Sequence, residues 1–234
     1  MAVVCGRRGG MIVMKDKQML RRVLQYVLGL CVMAAGTVLL KRAAVGITPI
    51  TSVPAAVANV TPFTLGNTTI ALHVLCVIGQ ILVVRRVTVK ALLTMLVGFP
   101  FGYIIDFFMW IFDPGPLSIV IRIVLLVIGL ILTALGVLLV VGSDLMLPAP
   151  DELTHTISEV YHRKLSNVKF VSDAVYVIIA LAIDLIFAHK VSSVGIGTVC
   201  AVLLTGRLIG VFGKLFPGLK MKPFWPAKKT EQAE

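Results

Sequence analysis

Long apolar runs, each closed by basic residues or by glycine and proline, dominate the chain. A helix needs roughly 17–25 apolar residues to cross the hydrocarbon of a bilayer. Six segments qualify, at about 22–41, 66–84, 89–111, 118–142, 168–188 and 193–213. The second is short and is expected to tilt or to be continued by polar turns. Two connections, 42–65 and 143–167, are too long to be turns. Both begin with Gly or Pro and continue into a short helix-capable stretch, for which Ser52 and Asp151 are the expected N-caps. The first connection is nearly uncharged and apolar enough to re-enter the membrane where protein shields its backbone. A helix lying flat in the interface is the open alternative.

A shift of 100 residues lays the two halves on each other. Gly29, Leu30, Ala34, Gly36 and Leu39 fall on Gly129, Leu130, Ala134, Gly136 and Leu139. Leu65, Asn67 and Val77-Ile78 fall on Leu165, Asn167 and Val177-Ile178, and Pro49 lies near Pro148 and Pro150. After an insertion of eight residues, Gly98 and Gly102 match Gly206 and Gly210. Three spans per copy is an odd number, so the second copy would enter the membrane the other way up. The expected fold is therefore an all-α integral membrane protein: about six transmembrane helices in a 3+3 inverted-repeat bundle with two interrupted or re-entrant segments. Its expected parts are a lead at 1–20, repeats at 21–112 and 113–214, and a basic tail at 215–234.

Composition sharpens this picture. Hydrophobic residues make up 58% of 234 residues and charged ones only 14%, against about 45–50% and 25% in soluble domains. The excess has to face lipid. The net charge of +11 sits at the ends of apolar runs and not on a face with interleaved aromatics, so no nucleic-acid partner is expected. Lys15, Lys17, Arg21 and Arg22 precede span 1, and Arg85, Arg86 and Lys90 lie between spans 2 and 3. Arg163, Lys164 and Lys169 precede span 5, and Lys214 to Lys229 follow span 6; the other side carries Lys41, Arg42 and Lys190. Both termini are expected in the cytoplasm. The first thirteen residues are too short in apolar content for a signal peptide, and translation beginning at Met14 is an alternative. Cys5, Cys31, Cys76 and Cys200 are scattered and read as small apolar fillers, with no metal and no cofactor expected.

Ionisable groups at membrane depth are costly and usually face the bundle interior or a water-filled cavity. Asp173 and Arg207 share a depth and are a candidate ion pair, as are Asp106 and Arg122 across the turn Asp113-Pro114-Gly115-Pro116. Asp184 is expected to reach towards the outer surface near Lys190. The shift of 100 puts His73 opposite Asp173, which is what a proton- or ion-coupled carrier needs. A packing histidine and a structural ion pair are the plain alternatives. Asp151 and Glu152 open the second short helix, where they suit its dipole or recognise a cation. Thr48, Thr51 and Ser52 in the first interruption offer hydroxyls to a polar or anionic ligand. No zinc-protease, P-loop, nucleophile-elbow or paired-cysteine motif is present, so no enzyme is expected.

On AAGTVLLKRAAVGITPITSVP, FGYIID, LMLPAPDELTHTIS, VKFVSDAVYVI and VGIGTVCAVLLTGRLIGVF the chain resembles the YczE/YyaS/YitT-like membrane proteins, over about 22–213. The resemblance implies a small multi-span protein of the bacterial inner membrane and brings no assigned activity. That family has glycines where Leu145-Met146-Leu147-Pro148 stand here, and Gly-Glu-Gly in place of Ala149 to Glu152. Three functions follow as expectations. The first is a small-molecule transporter or exporter with alternating access, in which His73, Asp173 and Arg207 carry coupling or substrate charge. The second is a non-transporting binding subunit that needs a partner protein, or a homo-oligomer. The third is an accessory or regulatory protein whose basic tail meets anionic lipid.

Overall fold

The computed structural model describes residues 3–5, 11–13 and 16–215, apart from Pro114, Pro116 and Lys190. The expectations for Met14, Lys190 and the tail beyond 215 lie outside the described residues. Two three-residue strands, β1 (Val3–Cys5) and β2 (Met11–Val13), pair antiparallel ahead of the helices. Eight α-helices follow. They are α1 (Asp16–Ala43), α2 (Pro49–Val60), α3 (Leu65–Val84), α4 (Val89–Ile111), α5 (Ile119–Ser143), α6 (Ala149–Val160), α7 (Leu165–Ile183) and α8 (Ile196–Leu215). A π-helical turn, Asp184–Ala188, extends α7.

Among the described residues five helical segments are long and apolar enough to cross a membrane: Met19–Ala43, Leu65–Val84, Ala91–Ile111, Ile119–Ser143 and Leu165–Ala188. Their outer faces carry large apolar side chains, with Leu82 at 70% and Trp110 at 80% exposure. Water would penalise such a surface heavily, whereas lipid tails match it. The sixth expected span corresponds to α8, whose apolar stretch Ile196–Ile209 is shorter. These are the marks of a helical protein embedded in a membrane.

The two long connections each fold into a helix of 12 residues, α2 and α6. Ser52 and Asp151 do not cap them. Thr48 and Pro148 occupy the N-cap positions, and Ser52 lies buried in the first turn with Oγ donating to the Pro49 carbonyl at 2.6 Å. Proline decides the start: its fixed φ and missing N–H suit the first turn of a helix, so Pro49 as first residue of α2 and Pro150 as second residue of α6 place the starts earlier than the polar caps would.

α1 and α5 form the central pair and touch through small residues. A Cβ on Gly36 would fall 2.5 Å from Thr133 Oγ1, and one on Gly136 2.5 Å from Met33 N. A Cβ on Gly29 would meet Val140 at 2.9 Å, and one on Gly129 would meet Leu40 at 2.9 Å. Only a residue without Cβ lets two backbones come this close. Positions that rise along α1 fall along α5, so the two helices run antiparallel. Leu40, Val38 and Val140 are fully buried around this crossing.

The remaining helices exchange partners across the chain. α2 packs on α7, α3 on α6, α4 on α1 and α8 on α5, while α3 also packs along α4. Arg22 and Arg42 do more than mark topology. Arg22 donates to the Ser143 carbonyl at 3.0 Å at the end of α5, and Arg42 donates to the Met109 carbonyl at 2.8 Å near the end of α4. Cations suit these positions because the last carbonyls of a helix lack partners and carry its negative pole.

Candidate functional site

Where α6 begins, α7 passes it within its first turns, and the polar groups concentrate there. Lys169 Nζ lies 2.7 Å from Asp151 Oδ1 on α6 and 3.3 Å from Asp173 Oδ1, one turn further along α7. The trio is partly open: side-chain exposures are 38% for Lys169, 29% for Asp151 and 17% for Asp173. Thr154 Oγ1 is 3.4 Å from Ser172 Oγ, a second polar link between α6 and α7. Gln80 on α3 donates to the Ala149 carbonyl at 3.0 Å and anchors the start of α6. Glu152 is 4% exposed.

His73 sits on α3 at 5% exposure, stacked on Phe101 with ring centroids 5.7 Å apart. Gly98 makes room for it, since a Cβ there would come 2.9 Å from His73 Nδ1. The imidazole therefore lies directly against the Gly98 backbone. Further along the same seam Cys76 Sγ and Tyr176 OH meet at 3.5 Å. α3 and α7 are not a packed helix pair, so the long tyrosine side chain is what spans them.

Several expected partners are replaced. Asp173 is taken by Lys169, and Arg207 lies exposed on α8. Sharing a depth did not bring those two together because α7 and α8 are not packed on each other. Asp106 does not pair with Arg122. It accepts from Thr64 Oγ1 at 2.6 Å and from Gly66 N at 2.7 Å, at the N-terminus of α3. The antiparallel α3–α4 contact delivers the carboxylate to the positive end of the α3 dipole, and glycine at 66 leaves the space it fills. Arg122 instead donates from Nε to the Leu117 carbonyl at 3.3 Å.

Asp184 does not reach outwards either. It is fully buried and accepts from Ser192 N at 2.8 Å and Ser193 N at 2.7 Å, with both serine hydroxyls at 3.3 Å. Asn59 donates to the same two hydroxyls and accepts from Lys41 Nζ at 2.6 Å, so α1, α2 and the loop after α7 are tied in one network. At the first interruption Thr48 Oγ1 and Thr51 Oγ1 are 2.7 Å apart, and Thr51 also donates to the Thr48 carbonyl at 3.1 Å. Thr51 and Ser52 are buried, with their hydroxyls used in the turn itself.

The family model for a family of unknown function, DUF6198, matches residues 20–214, nearly all of the described helices. The chain belongs to that family. No curated protein and no solved structure matches it. Among the described residues Cys31, Cys76 and Cys200 are free, and no three His, Cys, Asp or Glu side chains are grouped to hold a metal ion.

Three residues of this site escaped the sequence reading. By sequence pattern Lys169 reads as one of the charges that set orientation and Cys76 as filler, and Tyr176 is not singled out. The signals were present. Lys169 and Asp173 have the i,i+4 spacing of a helix ion pair, and Cys76 and Tyr176 are 100 residues apart, the same shift that relates the halves.

Proposed function

We propose that this chain is a small-molecule carrier of two inverted three-span repeats that work by alternating access, with its path along the seam between α3 and α7. The α1–α5 crossing supports the repeat. Its contacts are reciprocal: residue 36 meets 133 while 136 meets 33, and 29 meets 140 while 129 meets 40. Antiparallel helices with reciprocal contacts are related by a local two-fold axis perpendicular to them. For helices that cross a bilayer, that axis lies in the membrane plane. The exchange of α2 onto α7 and of α3 onto α6 fits the same operation.

One observation carries the functional reading. A contact between two residues 100 apart lies on such an axis, and Cys76–Tyr176 is that contact. Each is eleven residues into its helix, roughly 16 Å at 1.5 Å per residue, close to the middle of a hydrocarbon layer about 30 Å thick. Asp151, Lys169 and Asp173 lie on α6 and α7, and the positions 100 lower, Thr51, Thr69 and His73, lie on α2 and α3. A seam that carries polar groups from both halves, with a mid-depth contact between them and two short helices that interrupt the spans, is what alternating access requires. The charged side adjoins Arg163 and Lys164, the cytoplasmic side by the positive-inside rule. The resemblance to the YczE/YyaS/YitT-like proteins and a bacterial inner-membrane location agree with this reading.

The experiment is thermal unfolding of the detergent-purified chain against a metabolite library at two pH values, followed by flux of each stabilising compound in proteoliposomes. The reading expects a ligand whose stabilisation and flux are both lost in Asp173→Asn and Tyr176→Ala. Unchanged flux in both variants would move the path elsewhere. A ligand that binds without flux, in a preparation that retains a partner protein, would favour the binding-subunit function instead.

A further inference from the structure

We propose that the face of α8 bearing Arg207 and Lys214 binds the phosphate of an anionic phospholipid. Arg207 stands eight residues before the end of α8, roughly 12 Å at 1.5 Å per residue. One turn to either side on the same face are Leu203, Leu204 and Val211, exposed by 58%, 40% and 58%. Arg207 is exposed among them, on a surface suited to lipid tails. A cation there is costly unless an anion answers it. Among the described residues no hydrogen bond or ion pair engages its side chain.

Other arginines in the spans are answered by the protein. Arg22 donates to the Ser143 carbonyl and lies 3.8 Å from Asp144. Arg42 donates to the Met109 carbonyl and lies 3.0 Å from Asp113, and Arg122 donates to the Leu117 carbonyl. A second copy of the chain offers Arg207 little. The exposed carboxylates among the described residues, Asp113 and Glu159, stand at helix ends and are held by Arg42 and His155. The anion has to come from the bilayer.

The fold decides where that anion lies. The bond from Arg42 to Met109 brings the ends of α1 and α4 together, so both helices begin at the other rim. Gln80 on the Ala149 carbonyl and Lys169 on Asp151 set the end of α3 beside the start of α7. That rim collects Arg21, Arg85, Arg86, Arg163 and Lys164. All are exposed, and among the described residues their side chains enter no hydrogen bond or ion pair. At the opposite rim Lys41 and Arg42 are held by Asn59 and Asp113.

α8 starts at that opposite rim, where Gly197 N donates to the Val45 carbonyl at 2.8 Å just beyond α1. Its 20 residues rise roughly 30 Å and carry Lys214 to the basic rim. Lys214 is two turns beyond Arg207, on the same face, and is exposed. The arginine stem can run along the apolar surface while its guanidinium reaches up to the headgroup. A guanidinium fork matches two phosphate oxygens, and Lys214 adds a second charge from above. The unpaired cations around the rim select an anionic headgroup over a neutral one.

The test is thermal unfolding of the full chain in neutral detergent at constant ionic strength. The chain is titrated with dioleoyl phosphatidylglycerol, with dioleoyl phosphatidylcholine or with inorganic phosphate. Phosphatidylglycerol should stabilise saturably, and the other two should not. Arg207→Gln should weaken its apparent affinity about fivefold or more, and Lys214→Gln should weaken it less. Equal stabilisation by phosphatidylcholine or by inorganic phosphate overturns the proposal. So does an affinity for phosphatidylglycerol that Arg207→Gln leaves unchanged. Without lipid, Arg207→Gln should melt no lower than the unaltered chain, since no protein contact is lost; a lower melting temperature overturns the proposal by revealing an internal partner. A dimer that Arg207→Gln dissociates overturns it in favour of a second copy. None of these measurements needs flux, so the lipid site stands or falls apart from the carrier reading.

Discussion

Two regions, α2 with α3 and α6 with α7, each join a 12-residue helix to a long apolar one and carry different chemistry. Around α6 and α7 the positions 151, 169 and 173 are Asp, Lys and Asp, and they form a bridged charge cluster. Around α2 and α3 the positions 51, 69 and 73 are Thr, Thr and His, all of them buried. Thr69 satisfies itself by donating to the Leu65 carbonyl at 2.7 Å, as Thr51 does within its own turn. The two threonines are thus closed locally, each within its own turn. The charged half is closed only by a contact between helices, and anything that competes for Asp151 or Asp173 can open it.

The largest effect should come from putting the second half's chemistry into the first without its partner. His73→Asp would place a carboxylate at a position 5% exposed with no cation bonded to it, a loss of about 3–5 kcal/mol of stability. Adding Thr69→Lys should recover a substantial part of that loss, because 69 and 73 have the spacing of 169 and 173. Thermal unfolding of the single and double variants decides this, and a double variant as unstable as the single would mean that the halves are not interchangeable.

Asp184→Ala comes next. It strands the Ser192 and Ser193 amides that the carboxylate now accepts from, at about 1–3 kcal/mol for each group left unsatisfied. Limited proteolysis should show new cleavage near residues 189–195, and an unchanged fragment pattern would mean the loop is held by something else. Gly136→Ala presses on the shared crossing, since its Cβ would sit 2.5 Å from Met33 N. An overpacking cost of about 1–3 kcal/mol is expected, with Gly36→Ala of similar size if the crossing is reciprocal. Widely different melting temperatures for these two variants would argue against the two-fold relation. Asn59→Ala should have the smallest effect, about 1 kcal/mol for exposed hydrogen bonds, seen as a melting shift of a few degrees at most.

Most of the helix plan was legible in the chain itself, because lipid leaves few options. Segments such as 118–142 and 66–84 are predominantly apolar, and a backbone in hydrocarbon must satisfy its hydrogen bonds within its own helix. The glycines at 29, 36, 129 and 136 were visible as a repeat because close crossing requires residues without Cβ. The two interruptions were legible through proline, although proline also moved their starts away from Ser52 and Asp151.

Pairing was not legible. Depth along a span is a one-dimensional quantity, and it made Asp173 a match for Arg207 and Asp106 a match for Arg122. Which helices pack decides which charges meet, and α7 turned to α6 and α2 while α4 turned to α3. Asp106 therefore found an open helix N-terminus, Asp184 found two serine amides, and Lys169 became the centre of a cluster. By itself the sequence determined the solvent and the helices, since both follow from local composition and from backbone hydrogen bonding. Only the tertiary structure decided the partners of the buried charges, because an ion pair costs too much to bury unless both members and their hydrogen bonds arrive at the same place.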